Sequence, residues 1–184
     1  IIMKRFFVIL LFIAGYSFSA SSSHITGGEM FYTFTGMING QYSYNVTLKL
    51  FQRFGSGRQF PNPAIISIFN KTNNSRVTDI SVTIGNQETI SITNPDPCIT
   101  NPPNVCYEVA YYNFAITLPA SAAGYILASH VNYRISGINN LSSGYNNVGA
   151  TYTADIPGNI SNITAPVNNS AFFTGNDLVV VCAN

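Results

Sequence analysis

The side chains able to do chemistry in this chain are few, and its three cysteines say the most. Cys98 and Cys106 enclose Ile-Thr-Asn-Pro-Pro-Asn-Val, a short stretch whose two prolines can turn the chain back beside its entry. In an oxidising compartment this spacing reads as a local disulfide, worth about 2.6 kcal/mol in the chain-entropy account. Zinc is the rival reading, but zinc needs four ligands at compact spacing, and neither His24 nor His130 is close in sequence. Cys182, near the last residue, is expected to be unpaired within this chain, as half of a bond to sequence beyond it.

A hydrolase would need a histidine set against a nucleophile and held by an orienting group. His24 lies in Ser-His-Ile-Thr-Gly-Gly-Glu and His130 inside a strand-like run, so both read as structural or solvated. Glu29 and Glu108 would serve glycoside chemistry only at a fixed separation, which nothing in the sequence sets; they read as strand-edge glutamates. Asp96, Asp155 and Asp177, among many loop asparagines, leave room for calcium, which takes oxygen ligands. The D-x-D-x-D-G spacing of a dedicated calcium loop is absent. Gly55-Ser-Gly57-Arg58 resembles half a phosphate loop without its Gly-Lys-Ser/Thr finish or following helix, and reads as a turn. No catalytic residue, metal ligand or ligand-binding residue can be nominated, and the expectation is a protein that is not an enzyme.

The elements that must position these groups are strands. Tyr42, Tyr44, Val46, Leu48 and Leu50 alternate with Gln41, Ser43, Asn45, Thr47 and Lys49, a period of two that buries one face. A strand at 29–35 precedes it, and Met37-Ile-Asn-Gly40 supplies an Asn-Gly hairpin turn, so the two should pair antiparallel. Further strands are expected at 64–69, 76–84, 89–92, 106–118, 125–135, 150–155 and 178–182. The run 106–118 is apolar on both faces and is the expected central strand. Prolines, glycines and asparagines punctuate the gaps, and no segment after the leader reads as an amphipathic helix. The fold class that follows is all-β, an antiparallel β-sandwich of immunoglobulin-like or jelly-roll-like type. Tyr and Phe are plentiful and Trp is absent; the aromatic stripe reads as core, although exposed members would suit sugars.

Lys4 and Arg5 lead into the apolar run 6–14, followed by the small residues Gly15, Ser17, Ser19, Ala20 and Ser21, which is the pattern of a signal peptide. Met3 is the expected initiator, with Ile1 and Ile2 upstream of it. The run is too short and too soon interrupted for a membrane anchor, which needs about 20 apolar residues. Without Lys4 and Arg5, Lys plus Arg falls from 8 to 6 against 7 Asp plus Glu, a formal charge of −1 that offers nothing to a phosphate backbone. Charged residues make up 8% of the chain against about 25% in ordinary globular proteins. Hydrophobics at 46% nevertheless exclude disorder by composition. The expected division is 1–22 upstream residues and signal-peptide helix, 23–164 the sandwich, and 165–184 a linker and the first strand of a following unit.

Ser23-His-Ile-Thr-Gly-Gly-Glu-Met-Phe-Tyr32, Tyr44-Asn-Val-Thr-Leu-Lys-Leu-Phe-Gln-Arg53 and the loop Pro97-Cys-Ile-Thr-Asn-Pro-Pro-Asn-Val-Cys106 resemble the N-terminal region of very large Bacteroidetes cell-surface proteins. The likeness continues through Gly149-Ala-Thr-Tyr-Thr-Ala-Asp-Ile-Pro157 and Val180-Val-Cys182. Such proteins carry PKD or other immunoglobulin-like repeats and a gliding-motility-associated sorting domain. The resemblance implies type IX secretion, a place at the outer cell surface or in the medium, and further domains downstream in the same polypeptide. It also implies a departure: related sequences commonly carry a cysteine where this chain has Phe54 and a Cys-Cys pair near Asn132 and Tyr133, so a long-range disulfide is expected to be absent and Phe54 to fill the space by packing. The function expected is a non-catalytic structural or adhesive module, with surface glycans or other cell-surface proteins as partners. The alternative is a carbohydrate-binding module of a secreted polysaccharide-processing enzyme.

Overall fold

The computed structural model describes residues 25–91, 106–132, 134–135, 137–145, 148–158 and 167–174. Eight strands run in chain order: β1 (Ile25–Ile38), β2 (Gln41–Arg53), β3 (Ala64–Asn70), β4 (Ser75–Val82), β5 (Asn86–Ser91), β6 (Cys106–Leu118), β7 (Gly124–Val131) and β8 (Ala150–Pro157). They form two packed antiparallel sheets of four strands, β1-β2-β6-β5 and β4-β3-β7-β8. This is the all-β sandwich that the alternating pattern demands. Among the described residues no helix is long and apolar enough to cross a membrane.

Period two decides which side chains enter the core. On β2, Tyr44, Val46, Leu48 and Leu50 point inward and are buried; opposite them β6 contributes Ala110, Tyr112, Ile116 and Leu118. The second sheet answers with Ala64, Ile66, Ile68, Tyr125, Leu127, Ala154 and Ile156. Burying a phenol obliges its hydroxyl to find a partner. Accordingly the Tyr32 hydroxyl donates to the Asp155 carbonyl at 3.0 Å and the Tyr112 hydroxyl to the Pro61 carbonyl at 2.7 Å. Tyr32 meets Tyr44 edge to face, with ring centroids 5.5 Å apart.

The hairpin turn is where Asn39-Gly40 predicts it, with φ of 50° and 75° and Ile38 opposite Gln41. The expected central strand, 106–118, is flanked on both sides, by β2 and β5. Several boundaries differ from expectation. β1 begins at Ile25 rather than 29, because Gly27 and Gly28 are built into the ladder: a Cβ on Gly28 would lie 2.7 Å from the Lys49 carbonyl and 2.9 Å from the Tyr152 ring. β7 ends at Val131 rather than 135; beyond it Arg134 instead bridges Ile25 in parallel, and Ile135 N–H donates to the Ile25 carbonyl at 3.1 Å. Phe54 does not fill an interior space, for it stands 51% exposed just past β2.

Residues 167–174 lie along the outer edge of β1. Ser170 N–H donates to the Tyr32 carbonyl at 3.0 Å, Tyr32 N–H to the Ser170 hydroxyl at 2.8 Å, and Phe34 N–H to Asn169 Oδ1 at 2.7 Å. The segment runs antiparallel to β1 and covers part of an edge that would otherwise present open backbone groups. The leader, residues 175–184 with the expected strand at 178–182, and His24, Cys98 and Cys182 all lie outside the described residues.

Candidate functional site

Among the described residues, His130, Glu29, Glu108 and Asp155 each have a local partner, and the partners are informative. His130 stands on the outward face of the second sheet with the Thr151 hydroxyl 3.1 Å from Nδ1 and Asn132 Oδ1 3.1 Å from Nε2. The tautomer that suits both has Nε2–H donating to Asn132 while Nδ1 accepts from Thr151. Hydroxyl, imidazole and amide follow the order found in nucleophilic hydrolases. Here, however, His130 and Thr151 are register partners across β7 and β8, their contact is exposed, and the three groups latch two neighbouring strands. A Cβ on Gly149 would come within 2.5 Å of the imidazole, so that glycine leaves the ring its place.

Glu29 and Glu108 cannot act as a pair. Glu29 faces outward beside Lys49, whose Nζ is 3.6 Å away, whereas Glu108 accepts from Gln52 Nε2 at 2.9 Å. Lys49 and Gln52 are three residues apart on β2, so period two sends them, and the glutamates facing them, to opposite sides of the first sheet. Gln52 is buried, and the Ser56 hydroxyl and the Arg58 carbonyl also lie 2.9 and 2.8 Å from its Nε2, so three acceptors share two N–H groups. The Gly55-Ser-Gly57-Arg58 turn thus caps a buried amide instead of cradling phosphate. Asp155 holds Lys71 Nζ at 2.8 and 2.9 Å through its two oxygens, while Asp96 and Asp177 lie outside the described residues. Among the described residues no group of three or more His, Cys, Asp or Glu side chains could hold a metal ion. Cys106 opens β6; Cys98, its expected disulfide partner, lies outside the described residues.

The aromatic stripe divides between two environments. Tyr32, Tyr42, Tyr44, Tyr112 and Tyr125 are core. Phe51 and Tyr111 face outward from the first sheet, where the Lys49 ammonium lies 5.1 Å from one ring centroid and 5.4 Å from the other. Such placements add cation–π attraction to the Glu29 ion pair. Tyr111 also hydrogen-bonds the Glu88 carboxylate. The outward position Val109 is fully buried, as is almost all of Lys49, so this side of the sheet is well covered around its middle.

Beside that face, the edges of the two sheets leave an open groove of about 400 Å³, lined by residues 28–30 of β1, 151–153 of β8 and 171–173. The Phe172 ring stacks on Phe31 with centroids 5.4 Å apart, and Phe173 is 87% exposed. Sequence reasoning missed this groove, since neither edge nor the segment facing them carries a motif. The available signal was the adjacent aromatic pair Phe172-Phe173 in a stretch without strand pattern. No protein-family model matches the chain, and no curated protein or solved structure matches it.

Proposed function

We propose that this chain is an exported, non-catalytic immunoglobulin-like module that gives a larger surface protein a structural or adhesive unit. Lettered in chain order as A, B, C, C′, D, E, F and G, the strands fall into A-B-E-D and C′-C-F-G, an order that favours the immunoglobulin-like arrangement over a jelly roll. The corner before β7 supports the same reading: the Tyr125 hydroxyl, at the start of the F strand, donates to the Pro119 carbonyl upstream at 3.1 Å. This is the geometry of a tyrosine corner.

The observation that carries the functional reading is the β1 edge. Asn169 and Ser170 cover part of it while Phe172 and Phe173 are displayed beside it, 54% and 87% exposed. Large apolar side chains held at the surface next to a groove mark contact with another molecule. Export and surface display follow from the leader pattern and from the resemblance to type IX-secreted proteins. A carbohydrate-binding module of a polysaccharide-processing enzyme is the second reading, favoured by the mixed aromatic and hydroxyl lining of the groove.

The test coats beads with the exported chain and measures their retention on bacterial cell surfaces and on immobilised polysaccharide. Retention above that of beads coated with serum albumin, lost when Phe172 and Phe173 are both alanine, is the expected result. Liberation of reducing ends from any polysaccharide by the chain alone would overturn the non-catalytic reading.

A further inference from the structure

We infer that the groove between β1 and β8 binds a stretch of neutral glycan. The inference rests on the adhesive reading above and names its ligand. A pyranose ring presents an apolar C–H face and a rim of hydroxyls, and its site must offer aromatic surface for the first and fixed polar groups for the second. The groove supplies both. Phe173 and Phe172 stand at its mouth, with Phe173 so exposed that an occupant would gain most of the burial available to the ring. Thr153 brings a hydroxyl and Glu29 a carboxylate that can accept from sugar hydroxyls, whereas the Thr151 hydroxyl is held by His130 Nδ1 at 3.1 Å. That carboxylate is anchored from behind by the buried ammonium of Lys49 at 3.6 Å, so its orientation is set before a ligand arrives.

Charge selects among glycans. The lining includes one carboxylate, already paired with Lys49, and no cation, so the charge of a uronate or sulfated chain would find no partner among the lining residues. At about 400 Å³ the groove lies near the lower end of the ~300–1,000 Å³ range of small-ligand sites, which suits a short internal stretch of a chain left open at both ends.

An extended peptide is the competing occupant, because sheet edges invite strand addition. The register argues against it. Along an antiparallel strand, alternate residues turn both backbone groups to the same side. Tyr32 turns its N–H and C=O toward Ser170, and the Phe34 N–H is taken by Asn169. The groove therefore retains only the edge around Gly28 and Met30, shorter than the roughly five residues of an ordinary strand.

The test follows backbone amide shifts of the full exported chain by NMR during titration with cellohexaose, xylohexaose, mannohexaose and laminarihexaose, with hexagalacturonate as the anionic comparison. At least one neutral hexasaccharide should move the amides of 28–30, 151–153 and 171–173, and Phe173→Ala should weaken its binding about tenfold or more while leaving the melting temperature unchanged. Glu29→Gln, which keeps shape and removes charge, should weaken the neutral ligand and narrow its advantage over hexagalacturonate. Undisturbed groove amides with all four neutral ligands, preference for the anionic one, or unchanged affinity in Phe173→Ala would each overturn the inference. If bead retention persisted while the groove amides stayed still, the adhesive reading would stand and the glycan site would fall.

Discussion

At the scale of single residues, the corner before β7 shows how little tolerance the fold allows. Gly124 adopts φ of +87°, and a Cβ there would lie 2.1 Å from the Ile156 carbonyl and 2.6 Å from the Gly158 nitrogen. Its N–H donates to the Ser121 hydroxyl at 3.0 Å, and the next residue, Tyr125, sends its hydroxyl back to Pro119. Two substitutions at this corner should therefore differ in size. Gly124→Ala combines left-handed strain with a backbone clash and should cost about 3 kcal/mol or more. Tyr125→Phe keeps the ring in the core and gives up one hydrogen bond, for about 1 kcal/mol, with the Pro119 carbonyl left to find another donor. Urea unfolding of both variants measures the difference, and near-equal losses would show that the corner does not hold the backbone as described.

At the scale of elements, the strands were legible because half-burial writes itself into period two, and 41–50 displays that period without interruption. Edges were less legible. β1 extends through Gly27 and Gly28, where the absence of side chains erases the pattern although the ladder continues. β5 (Asn86–Ser91) is largely exposed, so no burial requirement marks its sequence. The groove lay beyond reach for a related reason: it forms where β1, β8 and 171–173 meet, and a site made by edges far apart in sequence has no local signature. The same edge yields an element-scale prediction. Replacing Asn169 and Ser170 together by alanine removes the acceptors of the Phe34 and Tyr32 amides. About 1–2 kcal/mol of stability should be lost, and those two amides should exchange with deuterium much faster while β2 and β6 keep their protection. An uncovered edge also invites pairing between molecules, so the double variant should self-associate on concentration where the parent does not.

At the scale of the whole molecule, several of the eleven tyrosines carry their phenols into the interior, and this gives the chain's stability an alkaline limit. Tyr32, Tyr44, Tyr112, Tyr125 and Tyr152 all titrate above the ordinary tyrosine value of 10.0, chiefly because burial disfavours the phenolate. The Asp155 charge adds to the effect at Tyr32, neighbouring tyrosines add to it at Tyr44, and Arg134 partly opposes it at Tyr152. The sign follows from proton counting: once the pH passes 10.0, the unfolded chain releases phenolic protons that the folded chain retains. The unfolded state then binds fewer protons, and stability falls with rising pH. The loss should begin near pH 10 and steepen as several buried phenols contribute together. Phenolate absorbance from these residues should therefore appear cooperatively, at the pH where the β-sheet circular dichroism collapses. Tyr112→Phe sharpens the prediction. It loses the hydrogen bond to Pro61 and should be about 1 kcal/mol less stable at neutral pH, yet with one fewer buried phenol its stability should decline less steeply above pH 10. Phenolate formation by Tyr32, Tyr44, Tyr112 and Tyr125 while the sheet signal stayed intact would show that these four are not held in the dry interior between the two sheets.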